Sequence, residues 1–307
     1  MRLRLLQAAA TSRREADEPV ATHLQRKANR ESDNCSLNGE QGIRQSRSVC
    51  SKKAESDWRG RQTTETRIIR ISETNKTEPE TLRALAEAGR IIREGGLVAF
   101  PTETVYGLGG DAMNPESSKK IYAAKGRPSD NPLIVHISDL SEIDRVARKV
   151  PETALALGKR FWPGPLTMIL EKGEEVPYET TGGLDTVAVR MPRNDIAAAL
   201  IRESHTPIAA PSANRSGRPS PTLARHCAED LDGKIEMILD GGAVGIGLES
   251  TIVDLSTEIP TILRPGYITL SMIREILPQA QVDAGIIRAD SGIKPKAPGM
   301  KYRHYAP

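Results

Sequence analysis

The residues best suited to chemistry stand where apolar runs stop. Ile208, Ala209 and Ala210 read as a buried strand that ends in Pro211-Ser212-Ala213-Asn214 and runs on into Arg215, Ser216, Gly217 and Arg218. In open α/β sheets ligands bind outside the carboxyl ends of strands. A hydroxyl, an amide and two guanidinium groups at such an end suit an anion. Alone, the segment also fits a plain strand followed by a turn. A second basic segment, Lys125-Gly126-Arg127-Pro128-Ser129-Asp130-Asn131-Pro132, precedes another apolar run. There Lys supplies a point charge and Arg a bidentate fork, and both can point at one anion.

Further segments share this character. Pro101 to Gly110 sets hydroxyls and glycines just past an apolar run, which lets backbone approach a ligand. Thr186, Ala188 and Arg190 share one face of a strand by its period of two. A buried Arg needs a partner. Either a core carboxylate supplies it or an anionic ligand does, and the ligand is the favoured reading. His136 lies in an apolar strand, where a lone His is more often a satisfied core residue than a ligand contact. Asp240 to Thr251 carries four glycines before Ser250 and resembles a phosphate-cradling loop, without the spacing of a P-loop or a dinucleotide fingerprint. Arg264-Pro265-Gly266 adds one more guanidinium. The set lacks a nucleophile–base pair and a carboxylate dyad. Such a site orients anions and stabilises developing charge, which points to chemistry at a nucleotide phosphate.

These residues need a scaffold, and the 307-residue chain reads as an α/β fold with a mixed sheet. Expected helices include 79–94, 141–149, 152–161, 195–203 and 223–231. Expected strands include 97–100, 133–137, 166–170, 186–191, 208–210, 235–239, 251–255 and 261–263. Residues 173–185 read as a surface loop. Residues 1–62 hold 13 Lys/Arg against 8 Asp/Glu, a surplus of +5, and the remainder holds 30 against 32, or −2. The first stretch lacks apolar periodicity and reads as a disordered basic extension. Any nucleic-acid affinity of the rest must come from a local patch. No run is long enough to span a bilayer, so the chain reads as soluble. Three scattered Cys without a secretory signal argue for a reducing, cytoplasmic setting. Neither Cys nor His shows metal-ligand spacing, so no protein-built metal site is expected.

Taken together, these segments resemble the YrdC/Sua-type threonylcarbamoyl-AMP synthases. The likeness rests on Phe100 to Gly109, Lys125 to Pro128, Asn131 to His136, Trp162 to Thr167, Val187 to Pro192, Ala210 to Asn214, Glu249 to Ile252 and Leu263 to Gly266. It spans about residues 67–275. Ala297 to Pro307 looks like the linker of the longer, two-domain members. The resemblance implies a YrdC-like twisted mixed β-sheet flanked by helices, with a concave ligand cleft. It implies a catalytic domain at 63–278 and an interdomain linker at 279–307, in a long-form member lacking its C-terminal domain. The implied reaction condenses L-threonine, bicarbonate and ATP to threonylcarbamoyl-AMP and pyrophosphate. By the match, Lys125, Arg127, Ser212 and Asn214 surround the nucleotide. Thr102, His136, Arg190 and Ser250 hold threonine, with Arg190 taking its carboxylate. Ser129, Thr186, Ser220, Arg264 and Tyr302 complete the ATP site. Mg²⁺ is held mainly by phosphates. The product feeds tRNA threonylcarbamoyl-transferase proteins, with possible contact to tRNA. The alternative is a YrdC-like module that binds double-stranded RNA or tRNA without synthase activity, against which the scarcity of base-stacking aromatics counts.

Overall fold

A computed structural model of the chain describes residues 65–71 and 77–284. All of them belong to the unit Thr63–Pro307. The expected disorder of 1–62, most of the expected linker, and Tyr302 lie outside the described residues.

Short apolar runs bounded by Pro, Gly and Asn give the strands β1 (Arg67–Arg70), β2 (Val98–Phe100), β3 (Gly107–Asp111), β4 (Ile134–His136), β5 (Ala147–Lys149) and β6 (Leu166–Lys172). β7 (Thr186–Arg190), β8 (Ile208–Ala209), β9 (Met237–Asp240), β10 (Thr251–Asp254), β11 (Thr261–Arg264) and β12 (Gln281–Val282) follow. Among the described residues they form one mixed sheet in the order β1-β9-β2-β3-β8-β4-β7-β6-β10-β11-β12, with β5 beside β6. β4 runs parallel to β7, and β10 parallel to β6. β6 lies antiparallel to β7.

The helices are α1 (Pro79–Arg93), α2 (Pro115–Lys125), α3 (Ile143–Val146), α4 (Glu152–Phe161), α5 (Tyr178–Thr181), α6 (Asp195–Ser204), α7 (Ala224–Leu231) and α8 (Leu270–Arg274). α2 has a start signal written in its residues. The Asn114 side chain accepts from the Glu116 amide, and Pro115 holds the first position. α1 buries Leu85, Ala88, Ile91 and Ile92. With Leu200 and Ile201 of α6, these cover Val98, Phe100, Ile208 and Leu239 on one sheet face. The opposite face meets α2, α4, α7 and α8 through Ile121, Leu157, Leu231 and Ile273.

Two local expectations differ from the structure. The helix expected over 141–149 ends at Val146, and Ala147–Lys149 becomes a strand on the edge of β6. There, pairing with a neighbouring strand outweighs local helical preference. The loop expected at 173–185 contains α5, whose Thr180 hydroxyl donates to the Ala112 carbonyl and meets Ser118 Oγ at 2.8 Å. Its short polar sequence carries no amphipathic period to announce it. Among the described residues, no helix is long and apolar enough to cross a membrane.

Candidate active site

The described helices α1 and α6 cover only one half of their sheet face. On the other half, register builds the site. Ile208 of β8 stands opposite His136 of β4, and His136 opposite Arg190 of β7. Arg190 stands opposite Thr167 of β6, Thr167 opposite Ile252 of β10, and Ile252 opposite Arg264 of β11. Residues directly opposite across a sheet point to the same face. One row therefore carries His136, Arg190, Thr167, Ile252 and Arg264, flanked on the same face by Ile134, Ala188 and Ile169.

A cleft of about 510 Å³, its open mouth included, is lined by Thr102, Arg127, His136, Arg190, Ser212, Ser250 and Arg264 among others. Thr104 and Glu249 also line it. Gly126 closes α2 with φ of 60°, a left-handed turn that suits glycine, and so separates the directions of Lys125 and Arg127. The Arg127 side chain donates to the carbonyls of Asn131 (3.3 Å) and Pro132 (3.2 Å), which fixes it at the cleft wall. Lys125 turns inward behind that wall, and its Nζ donates to the carbonyls of Ser212 and Asn214. Ser212 Oγ donates to Asn214 Oδ1 at 2.5 Å, and the Asn214 amide holds the Arg215 and Arg218 carbonyls. Lys125, Ser212 and Asn214 are thus one hydrogen-bonded unit, and Arg127 stands two residues along from Lys125. Of the expected tetrad Arg127 and Ser212 face the cleft, while Lys125 and Asn214 brace the Ser212 loop. Burial and the nearby Arg127 charge push Lys125 down to about 7.

Arg190 is held from three sides. Nε donates to the Gly164 carbonyl (3.3 Å), Nη1 to Thr104 Oγ1 (3.0 Å), and Nη2 lies 2.8 Å from Glu103 Oε1. Of the two partners left open by the sequence, a core carboxylate is therefore present. Arginine only donates. Thr104 Oγ1 thus passes its proton to Thr102 Oγ1, 2.9 Å away, and Thr102 donates to the Val105 carbonyl (2.7 Å). On the far side of the row Arg264 pairs with Glu249 at 2.7 Å and donates to Ser250 Oγ at 2.9 Å. Ser250 Oγ also meets Thr167 Oγ1 at 2.8 Å. A Cβ at Gly266 would fall 2.5 Å from the Glu249 carbonyl, so only glycine lets that turn close on the site.

His136 Nδ1 lies 3.1 Å from the Ile134 carbonyl, and its ring meets Phe100 edge-on at 6.1 Å. Burial and the like charge of Arg190 push it down to about 3, so it is neutral in the fold. The unfolded chain takes up a proton there near pH 6.5. The His136 contribution to stability is therefore complete above pH 6.5 and is lost as pH falls toward 3. We expect His136→Asn to lose about 3 kcal/mol less stability than wild type between pH 7.5 and pH 4, read by urea denaturation.

Several expected residues fall elsewhere. Thr186 opens β7 and Arg190 closes it, four residues and roughly 13 Å apart, so Thr186 does not line the cleft. Ser129 is exposed on the loop after Arg127 and outside the lining. Ser220 reaches the cleft wall only through Glu249, to which it donates at 2.7 Å. The Gly-rich 240–250 loop does not cradle a phosphate along its middle. Its Val244, Ile246 and Gly247 amides are taken by the carbonyls of Thr222, Glu103 and Thr104. Glu103, Thr104 and Glu249 had no assigned role in the sequence. The first two sit in the Pro101 to Gly110 segment, and a carboxylate there was the one signal of a partner for Arg190.

The model of the Sua5–YciO–YrdC family, described as "Telomere recombination", matches residues 90–266. Curated relatives named threonylcarbamoyl-AMP synthase come from Pyrococcus abyssi and Bacillus subtilis. Each is 56% identical, over 220 and 224 residues, or 72% and 73% of this chain. The chain spans 64% of the length of each. A solved structure of P. abyssi Sua5 complexed with L-threonine is 53% identical with a TM-score of 0.74, over 79% of this chain and 69% of that one. The model of the threonylcarbamoyl-AMP synthase C-terminal domain matches residues 268–307. That match overturns the expectation of a member lacking its second domain. With more than half its length matched, the chain belongs to the Sua5–YciO–YrdC family.

Proposed function

We propose that this chain is an L-threonylcarbamoyladenylate synthase, condensing L-threonine, bicarbonate and ATP. The observation that carries the reading is a cleft that brings Arg127 and Ser212, the latter braced by Lys125 and Asn214, together with a clamped Arg190. Arg190 takes the threonine carboxylate, while Thr102, His136 and Ser250 surround the rest of the amino acid. The threonine amine adds to bicarbonate, forming a carbamate and releasing water. A carbamate oxygen then attacks the α-phosphorus of ATP. The bond to the β-phosphate breaks and pyrophosphate leaves. Arg127 and Ser212 offset the charge developing on the α-phosphoryl oxygens. Arg264, with Ser220 behind Glu249, completes the nucleotide end. Among the described residues no cluster of His, Cys, Asp or Glu is placed to hold a metal ion. A Mg²⁺ accompanying ATP would be held mainly by the phosphates, as is usual for this ion. The domain assignment stays at 63–278 for catalysis. The product would pass to tRNA threonylcarbamoyl-transferase proteins in a cytoplasmic setting, with tRNA contact a consequence of that role.

The test is pyrophosphate release from ATP with bicarbonate, with and without threonine. Threonine-dependent release is expected. Release that ignores threonine sinks the proposal, and salt-sensitive RNA binding without ATP binding would favour the non-catalytic RNA module instead.

A further inference from the structure

The Arg190–Glu103 pair carries an assignment beyond the substrate reading. Both side chains are at least nine-tenths buried. Among the described residues no donor other than the Arg190 guanidinium is placed on the Glu103 carboxylate, although a carboxylate can accept several. A fold that only needed to satisfy Glu103 would supply donors. Instead its negative charge is set against the Arg190 guanidinium, which faces the cleft, 2.8 Å away. Thr104 and the Gly164 carbonyl fix the rest of that guanidinium. The backbone of Glu103 is fixed as well, because its carbonyl accepts from the Ile246 amide at 2.9 Å. The pair therefore has no net charge. Arg264 is likewise paired with Glu249 at 2.7 Å, while Lys125, behind the wall on the Arg127 side, donates to two carbonyls.

We propose that Glu103 is a specificity-determining positioning residue, acting through Arg190. By cancelling the charge of Arg190 while holding its plane, it suits this end of the cleft to an amino-acid zwitterion, itself neutral. It also denies a polyphosphate the surplus positive charge that would draw it there. The proposal rests on the amino-acid reading of the Arg190 end given above.

The experiment uses the full chain and two probes, radiolabelled L-threonine and pyrophosphate, measured by equilibrium binding. In wild type, threonine should bind without competition from pyrophosphate. In Glu103→Gln, threonine affinity should fall about tenfold and pyrophosphate should become competitive with threonine, while ATP affinity moves less than threefold. A merely structural loss would weaken both ligands and leave the competition pattern alone. Glu103→Asp, which keeps the charge but shortens the reach, should weaken threonine several-fold and still exclude pyrophosphate. If Glu103→Gln binds threonine as wild type does, without competition, the proposal is overturned. If Glu103→Gln fails to fold, Glu103→Asp decides, and unchanged threonine affinity there overturns it. If wild type binds no threonine, the substrate reading falls. Pyrophosphate stoichiometry then separates the two claims, rising from one site to two in Glu103→Gln only if Glu103 guards Arg190.

Discussion

Lys125→Met should cut threonine-dependent pyrophosphate release by about 10²-fold or more, because the loop that presents Ser212 to the cleft loses its brace and a misplacement of about 1 Å costs about 10²-fold. The Nζ of Lys125 is what ties the end of α2 to the carbonyls of Ser212 and Asn214. Without it both carbonyls lose a buried donor, at about 1–3 kcal/mol each. The variant also isolates a pH effect. Lys125 titrates at about 7 in the fold against 10.5 unfolded. Between those values the unfolded chain binds more protons, so stability rises with pH. Wild type measured against Lys125→Met should gain up to about 4 kcal/mol from pH 7 to pH 10.5. Urea denaturation of both proteins across that range reads it. Taking the difference removes the opposing effect of Cys227, whose thiol burial raises to about 12. A variant retaining a tenth of wild-type activity would remove Lys125 from the site.

Arg190→Ala should raise the KM for threonine about 100-fold, since it deletes a charge-assisted bidentate partner, and should leave the KM for ATP within about threefold. It should also destabilise the protein by about 3–5 kcal/mol, because Glu103 is left as a buried charge without its partner. The double variant Arg190→Ala/Glu103→Gln separates the two effects. With no stranded charge, most of the lost stability should return while threonine binding stays lost. Thermal melts and substrate titrations on the three proteins read both quantities. Threonine binding that recovers along with stability would show that Arg190 serves only the fold.

Much of the site could be read from the sequence because its residues sit at strand ends. Strand ends are marked by abrupt changes from apolar to Pro, Gly and hydroxyl residues. Ser212 was found that way and Arg127 by the basic Pro-fixed loop before a strand, whereas His136 entered through the family resemblance; all three line the cleft. What the sequence could not supply was register. Period two puts Thr186 on the face of Arg190, yet pairing with β6 sets only Arg190 opposite Thr167 and carries Thr186 to Glu171, at the far end. The partner of Arg190 was hidden for the same reason. Glu103 is 87 positions away along the chain, and only the sheet order brings β2 and its loop toward β7. The helix expected at 141–149 failed because β5 finds an edge of β6 that no local pattern reveals.

The row from Ile208 through His136, Arg190 and Thr167 to Arg264 has a consequence for how this protein can go wrong. A slip of one residue in any central strand sends that strand's side chains to the opposite face. β7 in such a state would bury Val189 toward the cleft and drive the Arg190 charge into the apolar layer. The molecule would keep nearly all its helix and strand content and its compactness. A far-ultraviolet spectrum or a sizing column would pass it as sound. Ligand binding would not, because six strands must be in step before the row exists. For recombinant material, or for variants altered on the opposite face at Val135 or Val189, activity is therefore the more exacting assay of correct folding.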